Sequence, residues 1–331
     1  MDNIDLVYTY VDGSDKELDT KRDMYMKDYY IYNQPIRYIN IGELNYSIKT
    51  ALKFVSWINN IYIITDNQVP LIDEDLLNNK KVKIIDHTEI IPIQYLPTFS
   101  SNVIESFMHN IPYLSEIFLY NNDDIFFFDY INKSDIYEVI DGKIKLKILC
   151  NNQYAPKSSY DLNLLKNIGI ENLIYNHLTK IYRKSTLKYI ERNYQEELHK
   201  SRLHKFRCPE QLRYVFFAMN IEEYLHNNIK IQLNSNNHIC HHLDKLIKND
   251  KLTNKFIYKK CKFACYNSMN SSFIEPFNKL MNTVLNIDKK CNTNNCNFLR
   301  HTDKKNNDGK HCFSSCEKYK IHTSNCQKKI I

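Results

Sequence analysis

The stretch IFLYNNDDIFFF, residues 117–128, sets four polar residues, Asn121, Asn122, Asp123 and Asp124, between two strongly apolar runs. Runs of that length, rich in aromatic and β-branched residues, read as strands. A polar turn clamped by apolar chain on both sides is held rigid, and its acids stand at the carboxyl end of the first strand. Ligands of α/β sheets gather beyond such strand ends. Paired carboxylates there can hold Mg²⁺ or Mn²⁺, which in turn bridges diphosphate oxygens. The plain alternative is a solvated turn, since Asp and Asn make turns everywhere. That alternative is stronger for YVDGSD, residues 10–15, where Asp12 and Asp15 flank Gly13 after another apolar run.

Working outward, strand and helix patterns alternate from residue 4 to about 150. Residues 4–11, 60–65, 82–85 and 116–120 read as strands, with 125–128 extending the last beyond the acidic turn. Residues 43–55 place Leu44, Ile48, Leu52 and Val55 at helical spacing, and Asn102 followed by Glu105 resembles a capping box. Such alternation argues for an α/β sheet with much parallel pairing. Residues 151–228 read as a mainly helical insertion, with helices over 172–192 and 209–225. Pro209 suits a first helical turn, with Glu210 near its positive end. Residues 262–266 read as a returning strand and 276–285 as a helix. The expected division is a catalytic domain over 1–287 and a separate tail over 288–331.

Composition narrows the chemistry. Of 331 residues only five are glycine, and the nearest two, Gly142 and Gly169, lie 27 positions apart. Gly-rich loops that crowd backbone N–H groups around a phosphate are therefore excluded, so phosphate must be met by side chains, helix ends or a metal. The net charge of +7 suits an anionic small substrate or peripheral attachment to a membrane surface; no Lys/Arg block argues for nucleic acid. No apolar run is long enough for a membrane span, and the acidic start MDNID lacks the basic region of a secretory signal. The expectation is a cytoplasmic protein, with the cytoplasmic face of a membrane allowed.

Three segments together resemble the Stealth family, the sugar-1-phosphate transferases of microbial capsule synthesis that are related to N-acetylglucosamine-1-phosphotransferase. They are IDLVYTYVDGSD, the stretch RYINIGELNYSIKTALKFVSWINNIYIITDNQVP starting at Arg37, and LPTFSSNVIESFMHNIPYLSEIFLYNNDDIFFF. The resemblance implies a GT-A or Rossmann-like mixed sheet with flanking helices. It further implies a nucleotide diphosphate sugar donor and a glycan acceptor. The acceptor hydroxyl would attack the sugar-proximal phosphorus and release nucleoside monophosphate. An ordinary GT-A-like glycosyltransferase would instead release nucleoside diphosphate; a catalytically degenerate binding protein would release neither.

The resemblance also assigns roles. Its NDD motif falls on Asn122, Asp123 and Asp124, with Asp124 as catalytic carboxylate and Asp123 and Asp124 on Mg²⁺ or Mn²⁺. A histidine and an arginine thirty residues apart fall on His177, a candidate general base, and Arg207, a candidate clamp on phosphoryl oxygens. Asp12, Asp15, Arg37, Glu43, Asp66, Gln68, Ser101, Asn102 and Glu210 are candidate substrate-binding residues. For Ser101 and Asn102 simple helix capping is an equal reading. The chain departs from the family pattern at Tyr10, Asn45, Lys49 and Ser268.

The tail carries Cys312, Cys316, His322 and Cys326 in the spacing C-x3-C-x5-H-x3-C, preceded by Cys291 and Cys296. Three thiolates and an imidazole would close a tetrahedral, structural Zn²⁺ site, with His301 and His311 as alternative ligands. Free thiols on a disordered tail, or disulfides in an exported protein, are the competing readings.

Overall fold

The computed structural model describes residues 3–26, 40–150, 160–171, 173–233, 262–265 and 274–286. Two compact units divide the chain, Met1–Leu285 and Asn286–Ile331. Apart from Asn286, the second unit lies outside the described residues, and with it the candidate zinc ligands Cys312, Cys316, His322 and Cys326. Arg37 and Ser268 lie outside them too.

The first unit opens with β1 (Ile4–Thr9), buried along nearly its whole length. Its buried acid, Asp5, accepts from Asn59 Nδ2 (3.0 Å), the Asn60 backbone N–H (2.9 Å) and the Ser115 N–H (2.7 Å), which offsets the cost of burying a charge. The DGSD turn leads into α1 (Lys16–Met26), whose first turn is capped by Asp15 Oδ1 accepting from Glu17 N–H at 2.8 Å. Gly42, at φ +89°, takes a left-handed conformation that L side chains rarely adopt, and α2 (Glu43–Phe54) starts from it. Next come β2 (Ile61–Thr65), α3 (Glu74–Leu77), β3 (Val82–Asp86) and α4 (His87–Ile90), then α5 (Ser101–Glu105) and β4 (Ile117–Asn122).

β5 (Ile125–Phe127) follows the acidic turn, then the hairpin β6 (Tyr137–Ile140) and β7 (Lys143–Cys150), and α6 (Tyr160–Asn167). After them lie β8 (Lys180–Arg183), α7 (Lys184–Asn193), α8 (Gln195–Arg202), α9 (Tyr214–His226), β9 (Ile229–Gln232), β10 (Phe263–Cys265) and α10 (Ile274–Asn286). The main sheet has the order β3-β2-β1-β4-β8, the first four strands parallel and β8 antiparallel to β4. Tyr8, Tyr62, Phe118, Tyr120 and Tyr182 are fully buried and form its aromatic centre. This is a mixed α/β fold.

Three sequence expectations change. Residues 125–128 do not extend β4: the chain turns at NNDD, and β5 pairs antiparallel with β10 in a separate two-stranded sheet. Residues 180–183 are a strand of the main sheet, where the pattern had suggested a helix over 172–192. Lys180 and Arg183 made that segment look amphipathic, yet both are buried; Arg183 pairs with Glu222 and donates to the Ile144 carbonyl at 2.6 Å. The helix expected over 209–225 begins at Tyr214, not near Pro209. The segment before it is pinned to α8 by the Leu212 N–H donating to Ser201 Oγ at 3.0 Å.

Candidate functional site

The parallel strands β3, β2, β1 and β4 end side by side, and a cavity of about 230 Å³ runs along those ends. Its wall takes His87 after β3, Asp66 after β2, Thr9, Tyr10 and Val11 around the end of β1, and Asn122 and Asp123 at β4. The rest of the lining includes Thr98, Phe99, Ser101, Phe206 and Arg207. The chain reverses its direction across the sheet between β1 and β4, so the crevice between Thr9 and Asn122 is the topological switch point, where α/β sheets open to ligands.

At the β4 end the carboxylates crowd one another. Burial, then the charges of Asp124 and Glu43, holds the Asp123 carboxyl well above the usual carboxylate range. Asp124 is raised by burial too, with Lys180 and a 3.4 Å contact from Cys265 Sγ opposing the shift. Glu43, the first residue of α2, is buried; burial raises its pKa, while its Oε2 accepts from the Ile41 N–H at 2.7 Å. Burial and mutual repulsion favour the protonated carboxyls here, and a cation bound beside them would reverse that preference. Among the described residues no three His, Cys, Asp or Glu side chains are grouped so as to hold a metal ion by themselves.

Arg207 supplies the opposite charge. It donates to Ser101 Oγ and lies near the buried carboxyl of Glu105. Burial raises the Glu105 pKa, and Arg207 is the strongest influence against it. Tyr120 OH donates to Glu105 Oε1 at 2.8 Å, so the 2.9 Å contact between Tyr120 OH and Thr9 Oγ1 has threonine as donor. Arg207 is thereby linked through Ser101, Glu105 and Tyr120 to the end of β1. Lys180, on β8 beside Tyr120, brings a second cation, this one buried, toward Glu105 and Asp124.

The β2 end is organised by Gln68. Its Oε1 accepts from the Asp12 N–H (2.9 Å), and its Nε2 donates to the Asp12 carbonyl (2.9 Å) and to Asp15 Oδ2 (2.9 Å). This bonding to Gln68 is the foremost reason Asp15 sits below the usual carboxylate range. Asp12 and Asp15 therefore brace the DGSD turn and do not line the cavity, where contact with nucleotide had been expected. Asn67, at φ +53°, turns the chain so that its neighbours part: Asp66 faces the cavity and Gln68 faces the turn. Asp66 Oδ2 accepts from Lys21 Nζ at 2.8 Å.

His177 stands three residues before Lys180, exposed, in a segment without regular structure; its Nε2 bonds the Tyr175 hydroxyl. Lys180 faces Tyr120 in the antiparallel register, so His177 approaches the same end of the sheet as Asp123 without lining the cavity. Asn102 Nδ2 donates to Gln211 Oε1 at 3.1 Å and does not cap a helix; α5 starts at Ser101. Glu210 is exposed on the turn before α9 and borders a separate open depression with Tyr160, Lys200 and His204. Sequence reasoning passed over Lys180, Glu105, Tyr120, His87 and the Phe99–Phe206 pair. Only His87 carried a sequence signal, since it follows the acid that ends the strand 82–86.

The family model Stealth protein CR2, conserved region 2, matches residues 37–145. The capsular polysaccharide phosphotransferase fcs1 of Haemophilus influenzae is 31% identical over 310 residues, 86% of this chain and 83% of that one. The capsular polysaccharide phosphotransferase LcbA of Neisseria meningitidis is 32% identical over 270 residues, 77% of this chain and 72% of that one. In Actinobacillus pleuropneumoniae, cps1A of the same designation is 47% identical over 130 residues, 38% of this chain and 35% of that one. Among solved structures, the galactosyltransferase LgtC overlaps 86% of this chain and 98% of its own at a TM-score of 0.41 and 10% identity. Matching relatives across most of its length, the chain belongs to the Stealth family of phosphotransferases.

Proposed function

We propose that the protein transfers a sugar-1-phosphate from a nucleotide diphosphate sugar to a glycan hydroxyl in capsule or surface polysaccharide synthesis, releasing nucleoside monophosphate. The observation that carries this reading is that Asp123 and Arg207 line one cavity at the switch point of the sheet. Such a pair suits a diphosphate: carboxylates for a cation at one side, a fixed guanidinium at the other.

Asp123 and Asp124 would hold Mg²⁺ or Mn²⁺. They are hard oxygen donors crowded by like charge, and these ions commonly take one or two carboxylates and leave their other positions to water and phosphate oxygens. When bound, the ion would neutralise charge on the phosphoryl oxygens. Arg207, steadied by Ser101, would hold those oxygens and stabilise charge that grows as the acceptor attacks. His177, oriented by Tyr175, would take the acceptor proton as the new P–O bond forms and the bond to the leaving monophosphate breaks. Lys180 would favour the ionised form of Asp124 against its burial.

The test is the nucleotide released from a panel of nucleotide sugars, with glycan or water as acceptor. Monophosphate supports the reading; diphosphate would convert it to ordinary glycosyl transfer. Loss of release in Asp124→Asn and His177→Ala is expected, and unchanged release in either would remove that residue from the mechanism.

A further inference from the structure

His87 is only 4% exposed, and among the described residues neither ring nitrogen has a hydrogen-bond partner. Its Nδ1 lies 4.0 Å from Asp66 Oδ1, too far for a hydrogen bond. A buried, unsatisfied polar group is destabilising, so its presence at a cavity wall calls for a compensating role. The ring's position is fixed from behind: Asp86 caps α4 by accepting from the Thr88 N–H at 2.9 Å, and Glu89 accepts from the Asp86 N–H at 2.8 Å. The cavity it lines also takes Leu18 and the stacked Phe99 and Phe206, whose ring centroids are 4.9 Å apart at 17°.

Three interstrand steps, about 14 Å, separate the end of β3 from the acids at β4. A donor whose diphosphate lies at Asp123 and Arg207 thus reaches His87 and Asp66 with its nucleoside. Asp66 Oδ2 is taken by Lys21, which leaves Oδ1 as an acceptor. Burial lowers the His87 pKa, so the imidazole is neutral and offers one donor and one acceptor. Its nitrogens are sealed from solvent in this state; a half-turn about χ2, a broad torsion in histidine, exchanges them with ring carbons without changing the outline of the ring.

We propose that Asp66 and His87 form the nucleobase subsite of the donor cavity and select a base whose ring N–H adjoins a carbonyl. The N–H would donate to Asp66 Oδ1 and the carbonyl would accept from His87, with the ring packed near Phe99 and Phe206. Uracil and guanine present that edge; cytosine and adenine do not. This subsite rests on the nucleotide-donor reading, but it is tested by binding alone.

The experiment is calorimetric titration of the full chain with UMP, GMP, CMP and AMP, for the wild type, His87→Leu, His87→Gln and Arg207→Ala. UMP or GMP is expected to bind at least tenfold more tightly than CMP and AMP. His87→Leu should erase that preference while raising Tm, because it removes an unsatisfied buried group. His87→Gln, which keeps a donor and an acceptor, should retain part of the preference, and Arg207→Ala should weaken all four alike. Equal binding of the four nucleotides by the wild type overturns the proposal, as does an unchanged preference in His87→Leu or, should that variant not fold, in His87→Gln. A preserved preference together with diphosphate release would overturn the reaction and leave the subsite standing.

Discussion

Gln68 and Asp12 bind each other twice, Asp12 N–H to Gln68 Oε1 and Gln68 Nε2 to the Asp12 carbonyl, each at 2.9 Å. The pairing imitates one rung of a sheet ladder, made by a side chain where β1 and β2 have already ended. It fixes the chain that runs past Tyr10 and Val11 along the cavity wall.

Gln68→Leu should therefore loosen the β1 end. Losing the pair and the Asp15 contact from a buried position is expected to cost about 2 kcal/mol and lower Tm by a few degrees. Differential scanning calorimetry checks the size. Nucleotide binding should fall with it, although Gln68 does not line the cavity.

Asp123→Asn should separate stability from function. Replacing a crowded carboxylate by a neutral isostere relieves repulsion from Asp124 and Glu43. In metal-free buffer the variant is expected to be more stable, by on the order of 1 kcal/mol. Addition of Mn²⁺ should raise the wild-type melting temperature and leave the variant unmoved, and the variant's transfer should drop at least a hundredfold. A fall in stability would show that Asp123 is held by favourable contacts and not by strain.

Arg207→Lys keeps the charge but loses the planar fork and the bond to Ser101. Arg207 is exposed, so Tm should move by less than about 2 °C. Steady-state kinetics should show kcat reduced about ten- to a hundredfold, with a smaller change in KM. An unaltered kcat would reassign Arg207 to a structural link with Glu105.

Histidine 109 supplies a pH dependence away from the site. Burial lowers its pKa to about 4, with Glu191 opposing and Arg202, Lys188 and Lys184 adding to the shift. The unfolded chain, with an ordinary histidine near 6.5, binds more protons than the folded one between those two values. Stability from this group is thus complete above pH 6.5 and is lost as pH falls toward 4, by on the order of 3 kcal/mol. Urea unfolding of the wild type and His109→Phe at pH 7.5 and 5 should show a smaller acid loss in the variant; equal losses would contradict it.

Sequence and structure agree most closely where strand ends carry polar residues. Asp66, Asn122 and Asp123 line one cavity because each follows directly on a run of apolar strand residues, and that juxtaposition is readable from periodicity. Ser101 and Arg207 reach it from chain segments 106 positions apart, which periodicity does not relate; a helix start pointed to the first and only the family resemblance to the second. The strand over Lys180–Arg183 stayed hidden because its charges look solvated until Glu222, 39 residues later, is brought beside Arg183. Asp12 and Asp15 differ in the opposite sense: they follow a strand but do not line the cavity. Acids after a strand suggest a ligand, but Gln68 engages the Asp15 carboxylate, and the Asp12 carboxylate accepts from Ser14 within its own turn.

The most direct test of the central claim is ³¹P NMR of the complete reaction with a nucleotide sugar and glycan acceptor. The account predicts a new phosphodiester resonance in the product and one equivalent of nucleoside monophosphate, both absent with Asp124→Asn. A product without phosphorus, accompanied by nucleoside diphosphate, would contradict it.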